Sequence, residues 1–93
     1  MDSGRNKNRS VTAIASRLIA TRKAIGLSQI EFARRAGIAD NTYNQYETGK
    51  SRISLDFAFK LCDTYNLTLD WIYTGDPSGL PFRLVDDLHR TAS

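Results

Sequence analysis

An all-α fold is predicted by three features of this 93-residue chain. Apolar residues recur at helical spacing along most of it, and several of these stretches open on a Ser or Thr suited to capping and close on Gly or Asn. No segment alternates apolar and polar residues as a half-buried strand would, and no internal repeat appears.

The first helix is expected from Val11 to Ile25, where Val11, Ile14, Ala15, Leu18, Ile19 and Ile25 form the apolar stripe and Gly26 stops it. Ser28 is a good N-cap for the second helix, with Glu31 three residues on completing a capping-box pattern. Its buried stripe is Phe32, Ala33 and Ala36, and Gly37 permits the left-handed backbone of a sharp turn. The third helix runs from about Ala39 to Thr48 and ends at Gly49. Ser54 caps a fourth, whose inner stripe is Leu55, Ala58, Leu61, Cys62 and Tyr65, with Asp56 near the positive end of its dipole and Asn66 closing it. Thr68 caps a short fifth helix through Tyr73, in which Trp71 and Ile72 supply bulk to the core, and Gly75-Asp76-Pro77 ends it.

Length and composition bound the rest. One domain of this size has a modest core and no room for a cleft between lobes. No apolar run approaches the ~18 residues of a membrane span. The N-terminal MDSGRNKNRS is not followed by a signal-type hydrophobic stretch, so a cytoplasmic protein without membrane attachment is expected. A single cysteine, Cys62, excludes an internal disulfide and a cysteine zinc site.

Charge is distributed unevenly. Residues 1–53 hold ten Lys/Arg against four acids, net +6, and residues 54–93 hold three against six, net −3. A basic front half points one end of the molecule at a polyanion; a merely solubilising surface is the bland alternative. The third helix sharpens the choice. Asp40, Asn41, Asn44, Gln45 and Thr48 share one face, with Tyr43 and Tyr46 on the opposite side. Asn and Gln can bridge adenine N6 and N7, and Asp can accept from cytosine N4, so Asp40, Asn41, Asn44 and Gln45 are candidate base readers in the DNA major groove. For Asp40 a role confined to the helix dipole is an equal alternative.

The stretch from Val11 to Gly75 resembles the lambdoid phage repressor and Cro family of helix-turn-helix domains, also called XRE-like. The resemblance rests on Gln29, Phe32-Ala33, Ala36-Gly37-Ile38, the polar segment Asp40 to Gln45, Glu47-Thr48-Gly49-Lys50, and Leu67-Thr68-Leu69-Asp70-Trp71-Ile72. It implies a five-helix lambda-repressor-like DNA-binding domain over residues 11–75. It also implies phosphate contacts from Gln29, Lys50 and Arg52, and a partly buried ion pair between Arg22 and Glu47 tying the first helix to the end of the third. Ser28, Thr42 and Thr48 are further phosphate candidates, as is Tyr43 if it leans toward the DNA backbone instead of into the core. The chain departs from the family pattern at Ala39, where a capping Ser or Thr is common. It departs again at Tyr43 and Tyr46, which replace aliphatic residues, and at Ile53, which replaces a frequent Pro.

Residues 1–10 are expected to form a flexible basic arm, with Arg5, Lys7 and Arg9 lying along DNA or having no role. In the tail, residues 76–93, Pro81 at a permitted first-turn position precedes Leu84, Val85 and Leu88 on one face. That pattern suits a short extra helix, either folded onto the core or offering a dimer seam.

No catalytic residue, metal site or cofactor is expected. His89 is the sole histidine, Asp86 and Asp87 point apart on a helix, and there is no phosphate-binding glycine loop. Two function classes remain. The first is a sequence-specific transcription regulator, a repressor gripping double-stranded DNA as a homodimer. The second is a protein-interaction module of the same fold, such as an antitoxin or adaptor whose acidic half or apolar tail binds a partner protein.

Overall fold

The computed structural model describes residues 7–92. Between Val11 and Ala92 the chain forms six helices: α1 (Val11–Ile25), α2 (Gln29–Arg35), α3 (Asp40–Glu47), α4 (Leu55–Tyr65), α5 (Leu69–Thr74) and α6 (Phe82–Ala92). Among the described residues no strand is present, and no helix is long and apolar enough to cross a membrane.

The helix starts follow their caps. Ser10, Ser28, Ser54 and Thr68 each accept, through the side-chain oxygen, the backbone N–H three residues on. Glu31 answers Ser28 through the hydroxyl, whose Oγ donates to Oε1 at 3.4 Å. Ala39 holds the N-cap geometry of α3 (φ −62°, ψ 142°) without any side-chain bond, so that helix starts uncapped. Between α2 and α3 the backbone reverses at Gly37, whose φ of +76° lies in the left-handed region that costs a side-chain-bearing residue strain.

One continuous core is built from Ile14 and Leu18 of α1, Phe32 and Ala33 of α2, Tyr43 and Tyr46 of α3, Ala58 and Leu61 of α4, and Ile72 of α5. α1 is its spine, packing against α3, α5 and α6. Three aromatic residues packed around it find partners for their polar tips. Tyr65 Oη donates to the Phe32 carbonyl at 2.7 Å while its ring stacks on Phe32 at 4.3 Å. Tyr73 Oη donates to the Ile53 carbonyl at 2.8 Å, and Trp71 Nε1 donates to Thr21 Oγ1 at 2.9 Å. These bonds meet the requirement that a buried hydroxyl or indole N–H be satisfied.

One expectation changes here. Leu55, placed on the inner stripe of α4, is 53% exposed. Helical side chains lean toward the N-terminus, so a first-turn residue at the margin of the apolar face projects past the core rather than onto it. Phe57 packs partly buried against the core from the other margin of that face. The tail lies against its own core: Leu80, which precedes α6, and Leu84 of α6 are buried in it, and Val85 and Leu88 pack against it.

Of the basic arm expected over residues 1–10, residues 1–6 lie outside the described residues. Residues 7–10 are held rather than loose: Ser10 bonds the Lys7 carbonyl, Arg17 Nη2 donates to the Asn8 carbonyl, and Arg52 Nη1 donates to that of Arg9.

Candidate nucleic-acid interface

α3 has eight residues, about 12 Å at 1.5 Å per residue, so it fits end to end within a major groove about 12 Å wide. Its two sides divide cleanly. Tyr43, Tyr46 and Glu47 are buried, whereas Asn41, Asn44, Gln45 and Thr48 are exposed, with Asp40 and Thr42 half-buried. The carboxamides of Asn41 and Asn44 are uncommitted among the described residues. Gln45 Oε1 accepts from Ser51 Oγ at 3.2 Å, a contact that orients this amide and leaves its NH2 group free to donate.

A buried polar clamp sets the pose of this helix. Arg22 of α1 donates from Nε to Glu47 Oε2 at 2.8 Å and from Nη2 to Oε1 at 3.1 Å, and its Nη1 reaches the Leu27 carbonyl at 3.1 Å. Gln29 of α2 adds a third bond to the carboxylate, Nε2 to Oε1 at 3.0 Å. One carboxylate thus joins α1, α2 and the last residue of α3. Burial by itself pushes the Glu47 carboxyl up, but the donors around it and the Arg22 charge outweigh burial and hold it below its ordinary value.

Gln29, expected at a phosphate, therefore has its NH2 group turned inward and its Oε1 and backbone left for other contacts. Tyr43, also expected at a phosphate, is corrected by the structure. It is fully buried, its ring 5.4 Å from Phe32, and no part of it reaches the surface. Its hydroxyl lies beside Glu47 without completing a well-formed hydrogen bond, and burial raises its pKa well above the tyrosine norm. The position is inward because the helical period puts Tyr43 with Tyr46 and Glu47, opposite the amide face.

Around the amide face stand the remaining candidates. Ser28 is exposed but its hydroxyl is committed to capping α2. Thr48 Oγ1 donates to the Gln45 carbonyl at 3.2 Å. Lys50 is exposed, and its backbone N–H donates to the same carbonyl at 3.0 Å, pinning the loop to the end of α3. Arg52 is exposed and spends one donor on the Arg9 carbonyl at 2.6 Å. Neither Lys50 nor Arg52 is ion-paired among the described residues.

One contact was not expected from the sequence. Arg34 of α2 forks onto Asp40 at the start of α3, with Nε 3.3 Å from Oδ1 and Nη2 3.1 Å from Oδ2. A basic residue closing one helix and an acid opening the next, six positions apart across a tight turn, was the signal available for it.

Comparison with known proteins follows the same lines. A helix-turn-helix family model matches residues 18–72. Antitoxin PezA of Streptococcus pneumoniae serotype 4 (strain ATCC BAA-334 / TIGR4) is 34% identical over 55 residues, which cover 59% of this chain and 35% of PezA. The chain thus spans about a third of the length of that curated relative. No solved structure matches it significantly.

Proposed function

The chain belongs to the XRE-like helix-turn-helix family, a DNA-binding fold, and from that premise we propose that it is a sequence-specific transcription regulator, a repressor that occupies its site as a homodimer. Each protomer lays α3 in the major groove. Asn41, Asn44 and Gln45 read base edges, Asp40 takes part at the start of the helix, and Ser28, Gln29, Thr42, Thr48, Lys50 and Arg52 contact the phosphates. The observation that carries this reading is the exposed carboxamide face of α3 on a helix immobilised from behind by the Arg22–Glu47–Gln29 clamp. A reading surface needs side chains free to bond and a backbone that does not yield, and both conditions meet here.

Dimerisation follows from the docking mode. Two recognition helices about 34–36 Å apart address successive turns of the same groove face, which small single domains use to gain affinity. Selection of bound duplexes from a randomised pool tests the whole reading. It should return a two-fold symmetric site with half-sites one helical turn apart, and affinity should fall steeply with salt, with a log–log slope near −0.9 per phosphate neutralised. A flat salt response, or a pool that stays random, defeats the proposal.

A second reading is favoured by the similarity to antitoxin PezA: the chain also serves as the DNA-binding part of an antitoxin-like protein that binds a partner protein. Both activities can coexist on one fold. Sedimentation of the protein purified from its native cells, with and without DNA, separates them: a homodimer alone supports the first, and a fixed heteromeric stoichiometry with a second protein supports the second.

A further inference from the structure

Resting on the reading that α3 enters the major groove, we propose that Arg34 and Asp40 form one guanine-reading unit, in which Asp40 positions the guanidinium and Arg34 contacts the base. Arg34 stands on the last turn of α2 and Asp40 on the first of α3, the end of a recognition helix from which base edges are reached. The fork uses the Nε–Nη2 side of the guanidinium, at 3.3 and 3.1 Å from the two carboxylate oxygens. That leaves Nη1 and the second hydrogen of Nη2 without partners among the described residues. Together they present the end-on edge that matches O6 and N7 of guanine.

Three observations favour a reading role over a stabilising or capping one. The side chains are 70% and 39% exposed, and an ion pair so open to water adds little to stability. Asp40 makes no bond to the backbone N–H groups of the uncapped first turn of α3; both of its hydrogen bonds go to Arg34. A lone carboxylate between two rows of phosphates would also be repelled, whereas paired with Arg34 it is neutralised and lends direction to the cation. A guanidinium with its charge compensated is a poor phosphate ligand but a well-aimed donor to a base, which selects the guanine edge over the backbone.

Selection of bound duplexes by the wild-type protein and by Arg34→Ala, Arg34→Lys and Asp40→Asn tests the unit, with thermal melting confirming that each variant is folded. Wild type should enrich guanine at one position per half-site. Arg34→Ala and Arg34→Lys should lose about 10- to 100-fold of that preference while leaving the other positions unchanged. Asp40→Asn should lower the guanine preference at the same position yet raise affinity for unrelated duplex, since it removes a negative charge without removing the cation. Lys serving as well as Arg, or Arg34→Ala weakening all sequences equally, would make Arg34 a phosphate contact and overturn the inference. A guanine preference untouched by any variant overturns it too, with the groove-reading function intact. A wild-type protein that enriches no sequence removes both.

Discussion

Arg22 grips Glu47 with two parallel hydrogen bonds, 2.8 and 3.1 Å long, across a pair whose side chains are only 15% and 4% exposed. The guanidinium comes from the spine of the fold and the carboxylate from the last residue of α3, so the register of α3 is set by charge chemistry as well as by packing.

Removing either partner strands the other in the interior. Arg22→Ala or Glu47→Ala should cost about 3–5 kcal/mol of stability, measured by urea unfolding at neutral pH. A loss under about 1 kcal/mol would mean that water relieves the survivor and that the clamp is a surface pair in effect.

The same pair sets an acid limit. Glu47 is held below its ordinary value of 4.5, so its contribution is present above that value and is lost as pH falls through the lower folded value. Unfolding free energy should therefore decline on acidification below about pH 4.5, the slope following the protons the unfolded chain binds in excess. In Glu47→Gln that portion of the decline should be absent, and an identical pH profile in both proteins would assign the acid sensitivity elsewhere.

Ala39 occupies the N-cap of α3 in extended geometry but offers no acceptor. Ala39→Ser should stabilise the fold by about 1 kcal/mol by capping an open N–H, read as a rise in melting temperature.

The Tyr43 hydroxyl is buried and lacks a well-formed hydrogen bond among the described residues. Tyr43→Phe should be close to neutral or mildly stabilising, since it deletes an unsatisfied group and keeps the ring on Phe32. Affinity for DNA should be unchanged; a clear drop would return Tyr43 to the phosphate contacts.

Readers and positioners should separate by their signatures. Gln45→Ala should relax preference at one base position by about 1–3 kcal/mol, while Lys50→Ala should weaken every sequence alike and reduce the salt slope by about one. Equal behaviour in a titration series over several salt concentrations would show that the two residues do the same work.

The caps and stripes made the helices readable, because N-cap chemistry and the helical period are local properties of the chain. Ser28, Ser54 and Thr68 each cap the helix they were expected to start. Position along the core was harder to foresee. Leu55 satisfies the period of α4 yet points outward, since the period says nothing about where the neighbouring elements end. For Tyr43 the helical period, which puts it opposite the amides, and the family's aliphatic residue at that position both pointed inward, and its burial agrees with them against the alternative of a phosphate contact. The Arg34–Asp40 fork had its signal in opposite charges flanking a tight turn, but whether they meet depends on how sharply the chain reverses at Gly37, a tertiary distance. For α6 the apolar face was legible and its destination was not, because an amphipathic stripe fits its own core and a foreign surface equally well.

The packing of α6 alters how this protein should be cut. Similarity to the family stops at residue 72, yet Leu80 and Leu84 beyond it share a core with Ile14 and Leu18. Trimming to the homologous boundary would uncover a greasy flank along the spine helix and invite clumping. Faulty behaviour of such a fragment would then report on the missing lid, with the exposed face of α3 blameless.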